Sequence, residues 1–434
     1  MSHLIGYNLG ALHQASRELN RKVDKSYYPS VTSIDQNPVI PSPSAFDYLN
    51  DLHQNNLPTP SQCAVHLELL EVFHALRIRV LDSQALDRVF KLGEATKKVY
   101  RRKFVKGLGK WVNQETTLRD LKWEGSQEKK WMFYLGEAVQ RFIVWANEFN
   151  ATLEDILMVW HAFLLNPFDF QEYCQTFSLN YLSRVNFPWT LIHNAIDSQG
   201  PIRDTWAYDS DTWEAPKGKS VYSGNLLHSI IKDGNTKDLD IGKVFRPPIV
   251  GRLVDNVERQ RVFVEKMNAH LWIRSPAFQG TLQRAVERYE DYLELFRLYP
   301  SKMLVPTLDI DLVWHTSQLS PAAYKTSMEA HCGRLINHDD KIAKYKLAQG
   351  NDETQSLYRT RFGLEYSVCL CWECQAIISA VEDSDRDGCL EEPRSSTFEE
   401  DITKKVLKDV EFHRAVESAR RRNHVKLPTR TYLQ

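Results

Sequence analysis

The chain has 434 residues, 42% hydrophobic and 26% charged, with a net charge of −1. That is the make-up of a globular protein of more than one packed unit, with no overall field to recruit nucleic acid or an anionic membrane. No apolar run nears the roughly 18 residues of a membrane span, and the start, MSHLIGYNLGALHQ, lacks a charged-then-apolar leader. Seven irregularly spaced cysteines argue against a secreted disulfide framework, so the expected compartment is cytoplasmic, with the nucleus as an alternative.

Residues 1–60 are rich in Ser, Asn and Pro without periodicity and read as an irregular arm. A first helical half is expected over 61–180. Ser61 is a plausible cap for a core helix carrying Val65, Leu69, Phe73, Leu76 and Val80, and a second helix is expected from about Gln84 to Lys103 with a basic outer face. A loop over Gly107 to Gly125 leads to an aromatic-rich helix, EKKWMFYLGEAVQRFIVWANEF, and a helix containing Val159-Trp160-His161 follows until Pro167 ends it. Residues 181–250 form an irregular centre with Trp206 and Trp213, and a second helical half is expected over 251–366. Residues 367–434 carry a cysteine-rich segment, an acidic loop and a basic C-terminal helix.

The second half repeats the first. Ala285-Val286-Glu287-Arg288-Tyr289 matches Ala138-Val139-Gln140-Arg141-Phe142, and Asp309 to Pro321, with Val313-Trp314-His315, matches Asp155 to Pro167. The sequence therefore predicts an all-α fold of two related helical halves on a shared core, an internal duplication of a helix-turn-Val-Trp-His helix unit. In each half the arginine can meet the acidic start of the next helix, Arg141 with Asp155 and Arg288 with Asp309, as a planar fork.

Asp311 and His315 are one turn apart on the second Trp-His helix and share a face. Two readings stand side by side. In one, Asp311, His315, His338 and Asp339 form a catalytic or metal-binding group, with His161 as a possible fifth member. In the other, the histidine is a satisfied packing residue, since the first copy has Leu157 where Asp311 stands.

Cys369, Cys371 and Cys374, with Cys389 beyond, have the thiolate content of a structural zinc site, while YSVCLCW also reads as a buried apolar stretch. Asp383-Ser-Asp385-Arg-Asp387-Gly388 imitates the front of a calcium loop but puts Arg394 where glutamate is required, so a solvated acidic loop is expected. Gly218-Lys219-Ser220 lacks the leading glycine and strand of a phosphate loop. Arg420-Arg421-Arg422 suits a helix C-terminus and would also serve as a short RNA-binding or nuclear-carrier patch.

LVPTLDIDLVWHTSQLSPAAY, followed by NHDD and SLYRTRFGLEY, resembles the glycine-rich domain-containing protein-like family. CAVHLELLEVFHALRIRV, MVWHAFLLNP and the segment from Arg274 to Phe278 look like its fungal branch, and the likeness covers about residues 60–380. The long glycine-rich tail typical of plant members has no counterpart among the 18 glycines here. The resemblance implies roles in stress and development without an agreed reaction, and it carries over no catalytic residue. Two functions follow as expectations. One is a helical interaction or regulatory protein presenting Trp206, Trp213 and the Trp-His edge to a protein partner. The other is a metal-dependent or acid/base enzyme of specialised metabolism, using Asp311, His315, His338 and Asp339.

Overall fold

The computed structural model describes residues 39–49, 56–92, 96–119, 121–148, 154–198, 226–233, 248–338, 342–386 and 396–422. These residues are mostly helical, as expected. The chain divides into two compact units: Met1–Val72, Leu164–Tyr208 and Val262–Gln434 form the first, and Phe73–Phe163 with Asp209–Arg261 form the second. Two long helices, α1 (Pro60–Asp82) and α8 (Pro248–His270), contribute residues to both.

The second unit contains α2 (Gln84–Val89), α3 (Leu121–Glu148), most of α4 (Glu154–Leu164) and α7 (Leu226–Asp233), which packs on α2 and α3. Ser83 starts α2 by accepting the Leu86 N–H at its hydroxyl. The core of this unit is aromatic. Trp145 meets Trp160 at 5.1 Å, Phe142 meets Phe163 at 6.1 Å, and Phe90 meets Phe133 at 5.1 Å between ring centres. Lys130 is buried here, its Nζ 2.6 Å from both Asp87 Oδ1 and the Leu81 carbonyl. Burial lowers its pKa, with Asp87 opposing the shift.

One expected element is different. The helix from Gln84 to Lys103 stops at Val89, and the stretch predicted to finish it is an antiparallel hairpin of β1 (Thr96–Val105) and β2 (Lys110–Arg119). It also replaces the loop expected from Gly107. The physical reason is legible afterwards. Lys91 takes a positive φ of 52°, which ends the helix. Beyond it, Val99, Tyr100, Phe104, Val105, Trp111 and Val112 are β-branched or aromatic residues that favour strands. Gly109, at φ 59°, supplies the left-handed residue that closes the turn.

The first unit is organised on α9 (Phe278–Leu298), which packs against α10 (Leu308–Gln318), α11 (Pro321–Cys332), α12 (Lys344–Phe362) and α13 (Trp372–Arg386). Successive turns of α9 bury Leu282, Ala285, Val286, Tyr289, Leu293 and Phe296. α14 (Ser396–Arg421) lies along α13, while α5 (Pro167–Thr176) and α6 (Trp189–Ala195) complete the set. Part of the expected arm is ordered: residues 43–46 form a 3-10 turn, and Phe46 stacks on His193 at 3.9 Å.

Two further expectations are corrected. Asp383 to Arg386 belong to the last turn of α13 and are not an acidic loop, and the rest of that motif lies outside the described residues. Arg420 is no surface patch. Its side chain is 6% exposed and donates to Glu71 and to Glu417, and Arg421 pairs with Glu417 at 2.6 Å. A helix-end arginine at i+3 from a glutamate is used inward here.

Candidate metal centre

α10 begins after Pro306 and Thr307, and its first turn carries Asp309 and Asp311, which favour the positive helix end. Asp309 is buried and bound by Arg288 of α9, Nε to Oδ2 at 2.7 Å. The same guanidinium donates to Thr307 Oγ1 at 3.0 Å and the Tyr366 carbonyl at 2.7 Å. The Arg288–Asp309 pairing expected from the sequence is thus made, through one carboxylate oxygen and not as a fork on it, and it ties the start of α10 to α9. For the corresponding pair expected at Arg141, the Asp155 side chain lies outside what the structure describes.

Further along α10, Ile310, Val313 and Trp314 turn into the core. The Trp314 indole sits among Tyr292 and Phe296 and donates to Tyr324 Oη at 2.9 Å. Tyr324 in turn donates to the Ile336 carbonyl at 2.7 Å. That relay ties down the segment after α11, which Gly333 has just turned by closing the helix at φ 70°. Two residues past Ile336 comes His338, whose ring meets the Trp314 ring edge-on at 4.8 Å. The tryptophan of the Trp-His pair thus positions a second histidine against the first.

The result is a three-residue cluster. His315 Nε2 and His338 Nε2 are 3.1 Å apart, His338 Nε2 is 3.1 Å from Asp311 Oδ1, and His315 Nε2 is 3.5 Å from the same oxygen. Phe263 covers the His315 ring at 4.3 Å. His315 is 1% exposed, while Asp311 and His338 are half-buried, so the cluster has one accessible side. Burial drives the His315 pKa down to about 3, with His338 adding to the fall and Asp311 opposing it. For Asp311 burial pushes upward, but the two imidazoles outweigh it and leave the carboxyl below its ordinary value.

These separations suit a cation. Ligands at roughly 2.0–2.1 Å around a tetrahedral ion are about 3.3 Å from one another. Two imidazole nitrogens and a carboxylate oxygen converge on one point here, and His315 Nδ1 is buried with no hydrogen-bond partner among the described residues. Of the other residues expected at this site, Asp339 lies outside the described residues, and His161 belongs to the second unit, where it packs edge-on to Phe73 at 5.3 Å.

Cys369, Cys371 and Cys374 also converge, with Sγ atoms all within 4.8 Å and Cys369 to Cys371 at 3.4 Å. Zinc thiolates lie about 3.8 Å apart in a tetrahedron. The loop is pinned by reciprocal indole bonds, Trp372 Nε1 to the His270 carbonyl at 2.8 Å and Trp272 Nε1 to the Leu370 carbonyl at 2.9 Å. His270 is therefore a neighbour of the thiols. Its pKa is lowered by burial, and Cys369 acts against that shift. The Cys371 thiol is pushed up to about 11, first by its hydrogen bond with Cys369. Cys389 lies outside the described residues, as do Trp206 and Trp213.

Sequence reasoning missed a buried ionic cluster in the first unit. Arg274 donates to Glu71 at 2.9 Å and to the Ile40 and Ser198 carbonyls at 2.7 Å each, and Arg420 joins Glu71 to Glu417. The signal was available: Glu68 and Glu71 interrupt the largely apolar run of α1 from Cys63 to Phe73, a stretch buried on every side, where an unpaired carboxylate is costly and needs a partner.

Residues 170–327 match the family described as GRDP-like, glycine-rich domain-containing protein-like. The chain is also similar to Arabidopsis thaliana glycine-rich domain-containing proteins 1 and 2, at 27% and 25% identity over 221 residues. Each of these matches covers 49% of this chain and 25% of the relative's length. Both relatives are plant proteins, so the likeness bears on the family and leaves the fungal branch open. No solved structure matches.

Proposed function

We propose that this chain is a metal-binding helical protein with an interaction or regulatory role, and that Asp311, His315 and His338 hold its divalent ion. The observation that carries the reading is the convergence of two imidazole nitrogens and one carboxylate oxygen within 3.5 Å on one accessible side. Two histidines and a carboxylate are a donor set for zinc or for non-haem iron. Because His315 is already neutral at physiological pH, no proton competes there with the ion. The likeness to glycine-rich domain-containing proteins, whose names state no reaction, supports a regulatory or interaction role. The matching order of a Phe-bearing helix, an Ala-Val-x-Arg helix and a Trp-His helix favours an ancestral duplication in which only the second copy acquired the ligands.

A second site is proposed at the cysteines, a structural zinc held by Cys369, Cys371 and Cys374. Its fourth ligand is either Cys389 or His270. Exchanging each separately decides between them: the true ligand, replaced by Ser or Ala, loosens zinc, and the other leaves it bound.

One feature favours an enzyme instead. Three protein ligands leave positions for water or substrate at the Asp311 site. Loading a Cys371→Ser, Cys374→Ser variant, in which the thiolate cluster no longer competes, with cobalt(II) tests both aspects. Visible absorption that disappears in Asp311→Asn and His338→Ala supports the site, and a spectrum unchanged in both overturns it. Perturbation of that absorption by added azide reveals an open position; indifference to azide favours the non-catalytic reading.

A further inference from the structure

We propose that the β1–β2 hairpin of the second unit is a binding platform for single-stranded nucleic acid, DNA or RNA. It carries eight Lys or Arg residues against the single Glu115, within a chain whose net charge is −1. Positive charge is thus concentrated on one element. Glu115 is itself engaged by Lys98 at 2.7 Å and by Tyr100 Oη at 3.2 Å.

The register sorts the side chains. Phe104 stands opposite Trp111 and Tyr100 opposite Glu115, so these three rings share one face with Lys98 and Arg102. Tyr100 is 66% exposed and Trp111 59%, and Phe104 and Trp111 meet edge-on at 5.5 Å. The opposite face carries Lys97, Arg101, Lys103 and Lys110. Exposed aromatic rings separated by cations match single strands, whose bases stack on rings while phosphates meet Lys and Arg, with little sequence preference.

An anionic membrane is the competing polyanion, but it favours an apolar tip with cations set behind it. Here Lys106 lies in the turn beside Leu108, and cations run the length of both strands. That distribution follows a strand of phosphates better than a bilayer plane.

The test is fluorescence anisotropy of labelled 20-mers of thymidylate and uridylate with the full chain, over a salt series. Saturable binding that weakens steeply with salt is expected. Tyr100→Ala with Trp111→Ala should weaken it at least about tenfold, and Lys98→Glu with Arg102→Glu, on the same face as the rings, should abolish it. All of these positions are exposed, so thermal melting should stay unchanged and serve as the folding control. No binding at low salt overturns the proposal. So does a loss-free aromatic variant, which would mean mere polyanion attraction, and so does binding to phosphatidylserine vesicles without binding to the oligonucleotides.

Discussion

At the scale of single residues, the first unit depends on charges that were taken out of water and then paired. Burial works against an ionised Glu71, yet Arg274 and Arg420 outweigh it and hold the carboxyl at about 2. A carboxylate depressed from 4.5 contributes stability that is complete above pH 4.5 and fades as pH falls toward 2. Acid unfolding should therefore show a loss of about 3 kcal/mol across that window from this residue. Glu71→Gln should remove the pH dependence in that range and lower stability by about 3–5 kcal/mol at neutral pH, because two buried guanidiniums lose their partner. Urea titrations from pH 2 to 7 check both; an unaltered pH profile in the variant would place the effect elsewhere. The same pairing explains why the arginine run at the C-terminus misled the sequence reading. Arg420 looks like surface charge in one dimension, and only the fold brings Glu71, 349 positions away, to it.

At the scale of elements, what could be read was what depends on near neighbours. The helical spacing of α1, α3, α9 and α10, the proline that opens α11 and the Asp311–His315 turn are local patterns, and they recur in the structure. The hairpin was misread because its basic residues also suit a helix face, and alternation in a ribbon exposed on both sides carries little apolar contrast. His338 was found through composition, but its approach to His315 depends on the Trp314–Tyr324–Ile336 relay, which has no sequence period. Two packing predictions belong here. A Cβ at Gly280 of α9 would meet Ser379 Oγ of α13 in severe overlap, so Gly280→Ala should cost about 1–3 kcal/mol despite better helix propensity. Arg288→Ala strands the buried Asp309 carboxylate and should cost about 3 kcal/mol or more. Thermal melting of both variants decides; a stabilised Gly280→Ala would mean the two helices separate more easily than their contact implies.

At the scale of the whole molecule, the proposal to be tested is that Asp311, His315 and His338 of the first unit hold a divalent ion, whereas Trp160 and His161 pack in the core of the second unit. In the matching sequence register two of the three proposed ligands are missing around Trp160, since Leu157 in α4 stands where α10 has Asp311, at the fourth residue of an 11-residue helix in both, and Arg184 stands where His338 does. The direct test is the metal content of the purified chain by mass spectrometry, in a Cys371→Ser, Cys374→Ser background that silences the thiolate cluster. One equivalent of zinc or iron per chain is predicted, falling to near zero on adding Asp311→Asn or His338→Ala while circular dichroism stays helical. A folded protein with no bound metal in that background, or with metal that survives both substitutions, would contradict the account.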